Sequence, residues 1–97
     1  MTHDRPAVRL ILDLSTAHLP ATDRDDLNGV DGVLAYRMQH GWLMWAPDDP
    51  DESASVEMDP PPEWVLVIQR YAREHGCDYV MFDSDARVDP ALPWWDV

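Results

Sequence analysis

From residue 7 to residue 14, Val8, Leu10, Leu12 and Leu14 alternate with Arg9, Ile11 and Asp13. A period of two marks a strand with one face buried, so the first predicted strand spans 7–14. Residues 15–20, ending in Pro20, change the direction of the chain. Thr22 followed by Asp25 resembles a capping box, acids suit a first helical turn, and Gly29 supplies a stop; a short helix is expected over 20–28. Residues 32–39 and 41–46 are rich in apolar and aromatic side chains around the turn signal His40-Gly41, which predicts a β-hairpin. Residues 62–75 carry start and stop signals together: Pro62 suits the first helical position, Glu63 complements the dipole, and Gly76 follows Arg73 and His75. The apolar stripe of this helix is Trp64, Val67, Ile68, Tyr71 and Ala72, widened by Val65 and Leu66, with Gln69, Arg70, Arg73 and Glu74 toward water. Residues 79–83 form a last strand.

Between the hairpin and that helix, residues 47–61 hold six acids, four prolines and no basic residue. Such a segment has too little to bury and reads as a solvated acidic, proline-rich loop. Residues 84–97, punctuated by Pro90 and Pro93, form a C-terminal tail ending Trp94-Trp95-Asp96-Val97. The expected order of strand, helix, two strands, helix, strand is the split βαβ plan of ferredoxin-like α+β domains. It predicts a single domain over 1–97: a four-stranded, mainly antiparallel sheet with two helices on one face. The first helix is short and polar, so one main helix with a long ordered loop is the alternative. A chain of 97 residues builds one core, and 45% apolar residues with five Trp can fill it.

Charge changes the picture most. Nineteen acids, 15 of them aspartates, face seven basic residues, all arginines, for a net charge of -12. A polyanion with scattered arginines is repelled by duplex nucleic acid and by anionic lipid, so neither is an expected direct partner. No apolar run approaches the roughly 20 residues of a membrane helix, and the N-terminus lacks a basic region followed by an apolar stretch. A cytoplasmic location is therefore expected. The single Cys77 cannot form an intramolecular disulfide and reads as a small, half-buried residue.

Catalytic and metal chemistry find little support. His3, His18, His40 and His75 lie far apart, without the spacing of a metal-binding motif. His18 follows a strand end, but Ser15 and His18 alone do not make a triad. Asp83-Ser84-Asp85 could offer hard oxygen ligands to a divalent cation, and with His18 it defines one alternative, a small metal-dependent hydrolase. In the split βαβ plan the first and last strands run antiparallel, which puts Asp13 and Asp83 at opposite ends of the sheet. Residues 10–16 resemble the nucleophile strand of aspartyl-phosphate phosphatases, but Ser15 replaces the second aspartate and the chain is too short. No cofactor is expected. Trp42, Trp45 and Trp64 fall on elements with an apolar face and are expected in the core. Adjacent tryptophans in an extended tail point opposite ways, so one of Trp94 and Trp95 is expected to cover the fold and the other to serve as an anchor for a partner.

The acids gather in three places: around the first predicted helix, in the loop, and toward the end of the chain. Carboxylates at alternate positions of an extended chain lie roughly 6–7 Å apart, so rows of them imitate the charge density of a nucleic-acid backbone. An acidic surface free of lysine also arises from host composition, where it serves solubility. Residues 14–20, the His40-Gly41-Trp42 turn, and the stretch from Gly76-Cys77-Asp78-Tyr79 through Asp85 to Pro93 resemble a family of small, mostly uncharacterised proteins encoded by bacteria, phages and mobile elements. In size, acidity and lack of enzyme motifs the chain also resembles phage anti-CRISPR proteins. That second resemblance implies binding to a Cas complex, of the multi-subunit Cascade type, and blockage of target-DNA capture. The reading that results is a non-enzymatic inhibitor, monomeric or homodimeric, that docks on a basic nucleic-acid-binding groove of a protein partner. Its expected contacts are Asp23, Asp25, Asp26, Asp48, Asp49, Asp51, Glu52, Asp83 and Asp85, with Trp94 and Trp95 as anchors. A third reading is a regulatory or antitoxin-like module in which Trp94 and Trp95 make the contact and charge is incidental.

Overall fold

A computed structural model describes residues 7–95. His3 and Asp96 lie outside that range. The fold is α+β: strands β1 (Ile11–Ser15), β2 (Ala35–Met38), β3 (Gly41–Trp45) and β4 (Tyr79–Asp83) form one sheet, with helices α1 (Pro50–Ser55) and α2 (Glu63–Glu74). The sheet order is β1-β4-β3-β2. The pairs β2–β3 and β3–β4 are antiparallel, as expected of a mainly antiparallel sheet, while β1 runs parallel to β4.

That last pairing departs from the ferredoxin-like order. β4 inserts between β1 and β3, and the register Ser15↔Asp83 brings the ends of β1 and β4 to the same edge. Asp13, opposite Met81 at the middle of the strands, and Asp83, two residues further along at one end, are therefore not at opposite ends of the sheet. β4 is almost continuously apolar, which suits an interior position.

The helix expected over 20–28 is absent. Asp23 N bonds to Pro20 O and Asp26 N to Asp23 O, the three-residue spacing of turns, and only Leu27–Gly29 closes a 3-10 turn. The segment is rich in Asp, a weak helix former, and buries only Leu27, too little for a short helix to stand on. A second helix forms instead inside the segment read as a loop. Asp49 caps α1 by accepting a bond from Glu52 N at 3.1 Å, Pro50 occupies the first turn, and Asp51 and Glu52 complement the dipole. Arg70 of α2 then holds Asp51 at 2.6 Å and Glu63 at 3.0 Å.

α2 matches its prediction to within a residue at each end. Gly76 at φ 75° ends it, with Cys77 N bonded back to Ala72 O at 2.8 Å. Its buried face is Val65, Ile68, Gln69 and Ala72. Gln69, expected to face water, is only 3% exposed, because the stripe rotates toward Val65 once α1 packs beside the helix. The core lies between α2 and the inner face of the sheet, where Leu14, Trp42, Met44, Val80 and Phe82 pack with Leu19, Leu27 and Leu92. At the hairpin turn Gly41 passes so close to β4 that a Cβ would run into the Phe82 carbonyl oxygen, which explains a glycine there.

Candidate functional site

Three of the six described arginines, Arg24, Arg37 and Arg73, donate to backbone carbonyls. Arg24 donates from Nε to Leu19 O and from a terminal nitrogen to Trp95 O, both at 2.9 Å, while its own carbonyl accepts from Trp42 Nε1 at 2.8 Å. Arg37 donates to Asp25 O at 3.0 Å and lies 5.1 Å over the Trp42 ring. Arg73 donates to the carbonyls of Ala46 and Pro47 and to Asp78. These guanidinium groups satisfy backbone carbonyls where the chain leaves its strands, and so are largely consumed as structural donors. Ion pairs hold Asp48, Asp51, Glu63 and Asp78; the other 13 of the 17 acids among the described residues have none with a described residue. The negative excess is left to solvent.

The predicted contact acids fall into separate groups. Asp23, Asp25 and Asp26 lie on the turns between β1 and β2, and Asp23 and Asp26 border an open hollow with Asp31, Pro60, Pro62 and Trp64. Asp48, Asp49, Asp51 and Glu52 surround the start of α1. Within this group Asp51 is bound to Arg70, which holds its carboxyl below the usual range, and Asp48 meets Arg73 at 3.4 Å. Asp83 and Asp85 close β4, with Asp83 Oδ1 accepting from Asp85 N at 2.9 Å. Because β3 and β4 are antiparallel with Trp45 opposite Tyr79, the α1 group and the Asp83 group occupy opposite ends of the sheet, about 17 Å apart by strand rise. The chain does not bring its predicted contact acids into one row.

The tail folds back as expected. Trp95 N bonds to Ala17 O at 2.8 Å, and its ring meets Trp64 edge-on with centroids 6.1 Å apart. Trp94, its neighbour, is 51% exposed. One tryptophan covers the fold and the other faces water. Trp42 is buried, Trp64 half-buried, and Trp45 exposed, so Trp45 departs from the core position expected for all three.

His18 is the pin of the tail. It is fully buried; Nδ1 donates to Pro93 O at 2.8 Å and Nε2 accepts from Asp89 N at 2.9 Å. Both ring nitrogens are engaged, so His18 is free for neither metal ligation nor proton transfer, and the hydrolase alternative loses one of its three residues. Among the described residues no group of three or more His, Cys, Asp or Glu side chains is placed to hold a metal ion. Asp89 adds a second lock: its carboxylate accepts from Ala91 N and, at 2.7 Å, from Tyr71 Oη. Those bonds, Ala91 first, hold the Asp89 carboxyl below its usual range, and the Asp89 carboxylate pushes the Tyr71 hydroxyl upward. Cys77 is buried with its thiol toward His75 O.

Sequence reading did not find the arginine clamps, since their acceptors are carbonyls and carry no residue-type signal. It also passed over the side of the sheet opposite α2, although the apolar runs of β3 and β4 announce it.

Residues 11–97 match the model of a family of unknown function (DUF5983), C-terminal domain. The chain belongs to that family. No curated protein and no solved structure matches it. The matched stretch of this DUF5983 domain starts at β1 and contains the whole sheet, both helices and the pinned tail, so the fold described is the family's unit. Among its described residues no helix is long and apolar enough to cross a membrane.

Proposed function

We propose that this domain is a non-catalytic inhibitor that docks acidic surface on a basic nucleic-acid-binding groove of a protein partner and competes with nucleic acid there. The anti-CRISPR-like case is a Cas surveillance complex, in the cytoplasm of a bacterial cell, whose capture of target DNA is blocked. One observation carries the reading: three of the six described arginines, Arg24, Arg37 and Arg73, donate to backbone carbonyls, and 13 described acids stay without an ion pair to a described residue. Unneutralised carboxylates attract a basic groove over a Debye length, about 10 Å at 0.1 M salt, and accelerate association.

Separation of the acid groups makes the reading specific. Asp23, Asp25 and Asp26 are the first choice, since none is drawn into an ion pair with a described residue, while Asp48 and Asp51 are. Retention of the protein on immobilised Cas complexes is expected to fall with salt and with competing DNA. The triple change Asp23→Arg, Asp25→Arg, Asp26→Arg is expected to weaken it at least tenfold. Retention indifferent to that change and to reversal of Asp83 and Asp85 would overturn the reading.

Exposed Trp94 on a pinned tail favours the second reading, an aromatic anchor for a regulatory partner. Removing residues 90–97 would also strip His18 of its Pro93 partner, so Trp94→Ala is the cleaner probe: it abolishes an anchor-led contact and barely changes an electrostatic one.

A further inference from the structure

A sheet that is apolar on both faces needs cover on both. The interior strands β3 and β4 contain Trp42-Leu43-Met44-Trp45 and Tyr79-Val80-Met81-Phe82, runs without a charged residue. Strands with one face in water alternate; continuous runs belong to strands covered on both sides. The described residues cover one side. Trp42, Met44, Val80 and Phe82 are buried in the core on the inner face, whereas Leu43, Tyr79 and Met81 are half-buried and Trp45 is exposed on the opposite, outer face. The register sets Asp13, Met81, Leu43 and Tyr36 in one row across all four strands of that outer face. Among the described residues α1 borders only its Trp45 corner.

We infer that the outer sheet face is a docking surface for a basic amphipathic helix of a partner protein. Charge selects the occupant. Asp13 stands exposed in the central row, Asp83 and Asp85 lie at one end, and Asp48, Asp49 and Glu52 flank Trp45 at the other. Arg9, just before β1, faces Asp78 at 3.9 Å. A second copy would bring its own charge of -12 against these acids, whereas a helix with an apolar stripe between lysines or arginines meets apolar centre and acidic ends together. Size agrees: four strands of five residues or fewer span roughly 15 by 17 Å, about the length of a 12-residue helix such as α2. The basic occupant follows from the basic-partner reading above; the uncovered apolar face does not depend on it.

The test uses the full chain and three probes: a synthetic 18-residue Leu/Lys amphipathic helix, its Leu/Glu counterpart, and self-association by sedimentation. The Leu/Lys peptide is expected to bind, to shift the Trp45 indole and the Met81 methyl resonances, and to lose at least tenfold in affinity against Leu43→Asp. Tyr36→Asp, at a position already exposed, is the second variant should Leu43→Asp fail to fold. Asp13→Asn is expected to cost about threefold, Trp94→Ala nothing, and the Leu/Glu peptide is expected not to bind. Absence of Leu/Lys binding, equal binding by both peptides, or shifts confined to residues 23–31 would overturn the inference. So would sedimentation as a dimer that Tyr36→Asp dissociates, since the occupant would then be a second copy. Reversing Asp23, Asp25 and Asp26 is expected to leave peptide binding intact while weakening retention on Cas complexes at least tenfold, so the two readings fail independently.

Discussion

His18 shows how one side chain can serve an ending remote in sequence. Its bonds to Pro93 O and Asp89 N require a neutral ring protonated at Nδ1, with partners 75 and 71 residues away. His18→Ala removes both bonds and leaves a buried N–H, a buried carbonyl and a cavity, an expected loss of about 2–4 kcal/mol. A drop in Tm of roughly 10 °C or more in a thermal melt, with exposure of Trp95, checks it. Asp89 adds a dependence on pH. Its carboxyl is held below the usual range in the folded state, so its contribution is complete above the ordinary carboxylate value and is lost as pH falls from about 4 through the lower folded value. Tryptophan emission is expected to shift to the red over that interval, and Asp89→Asn is expected to remove the pH dependence of the shift.

Among the elements, α1 is the one that tertiary contact maintains. Six residues are far too few for an isolated helix, and its cap and dipole partners are joined by a clamp from α2, where Arg70 grips Asp51 and Glu63. Arg70→Ala is expected to speed amide exchange across α1 at least tenfold while leaving α2 unchanged, readable by hydrogen exchange. The start signals of α1 were present as Asp49-Pro50-Asp51-Glu52, but the acidity and prolines around them favoured a loop, and Arg70 lies 19 residues beyond Asp51. Over 20–28 the opposite occurred: capping signals were present, yet without an apolar stripe the segment settled into turns. α2, β3 and β4 carried both pattern and punctuation and formed close to the predicted bounds, whereas β1 starts at Ile11 rather than 7 and β2 at Ala35 rather than 32.

For the whole molecule, the charge of -12 governs behaviour because so few acids are paired. Self-repulsion is screened by salt, so raising ionic strength from 0.05 to 0.5 M is expected to increase Tm by roughly 5 °C, the reverse of a fold held by surface ion pairs. Complexes with a basic partner are expected to weaken over the same range, and one salt titration of each checks the pair. The sequence by itself determined where α2, β3 and β4 run, which stretches hold β1 and β2, and how acidic the chain is, because periodicity, caps and composition act between near neighbours. Tertiary structure alone decided that β1 runs parallel to β4, that His18 and three arginines hold distant segments together, that the α1 acids and the Asp83 group fall at opposite ends of the sheet, and that the described residues leave one apolar sheet face uncovered. Those outcomes depend on which strands become neighbours and on hydrogen bonds reaching across as many as 75 residues, and no local pattern encodes such choices.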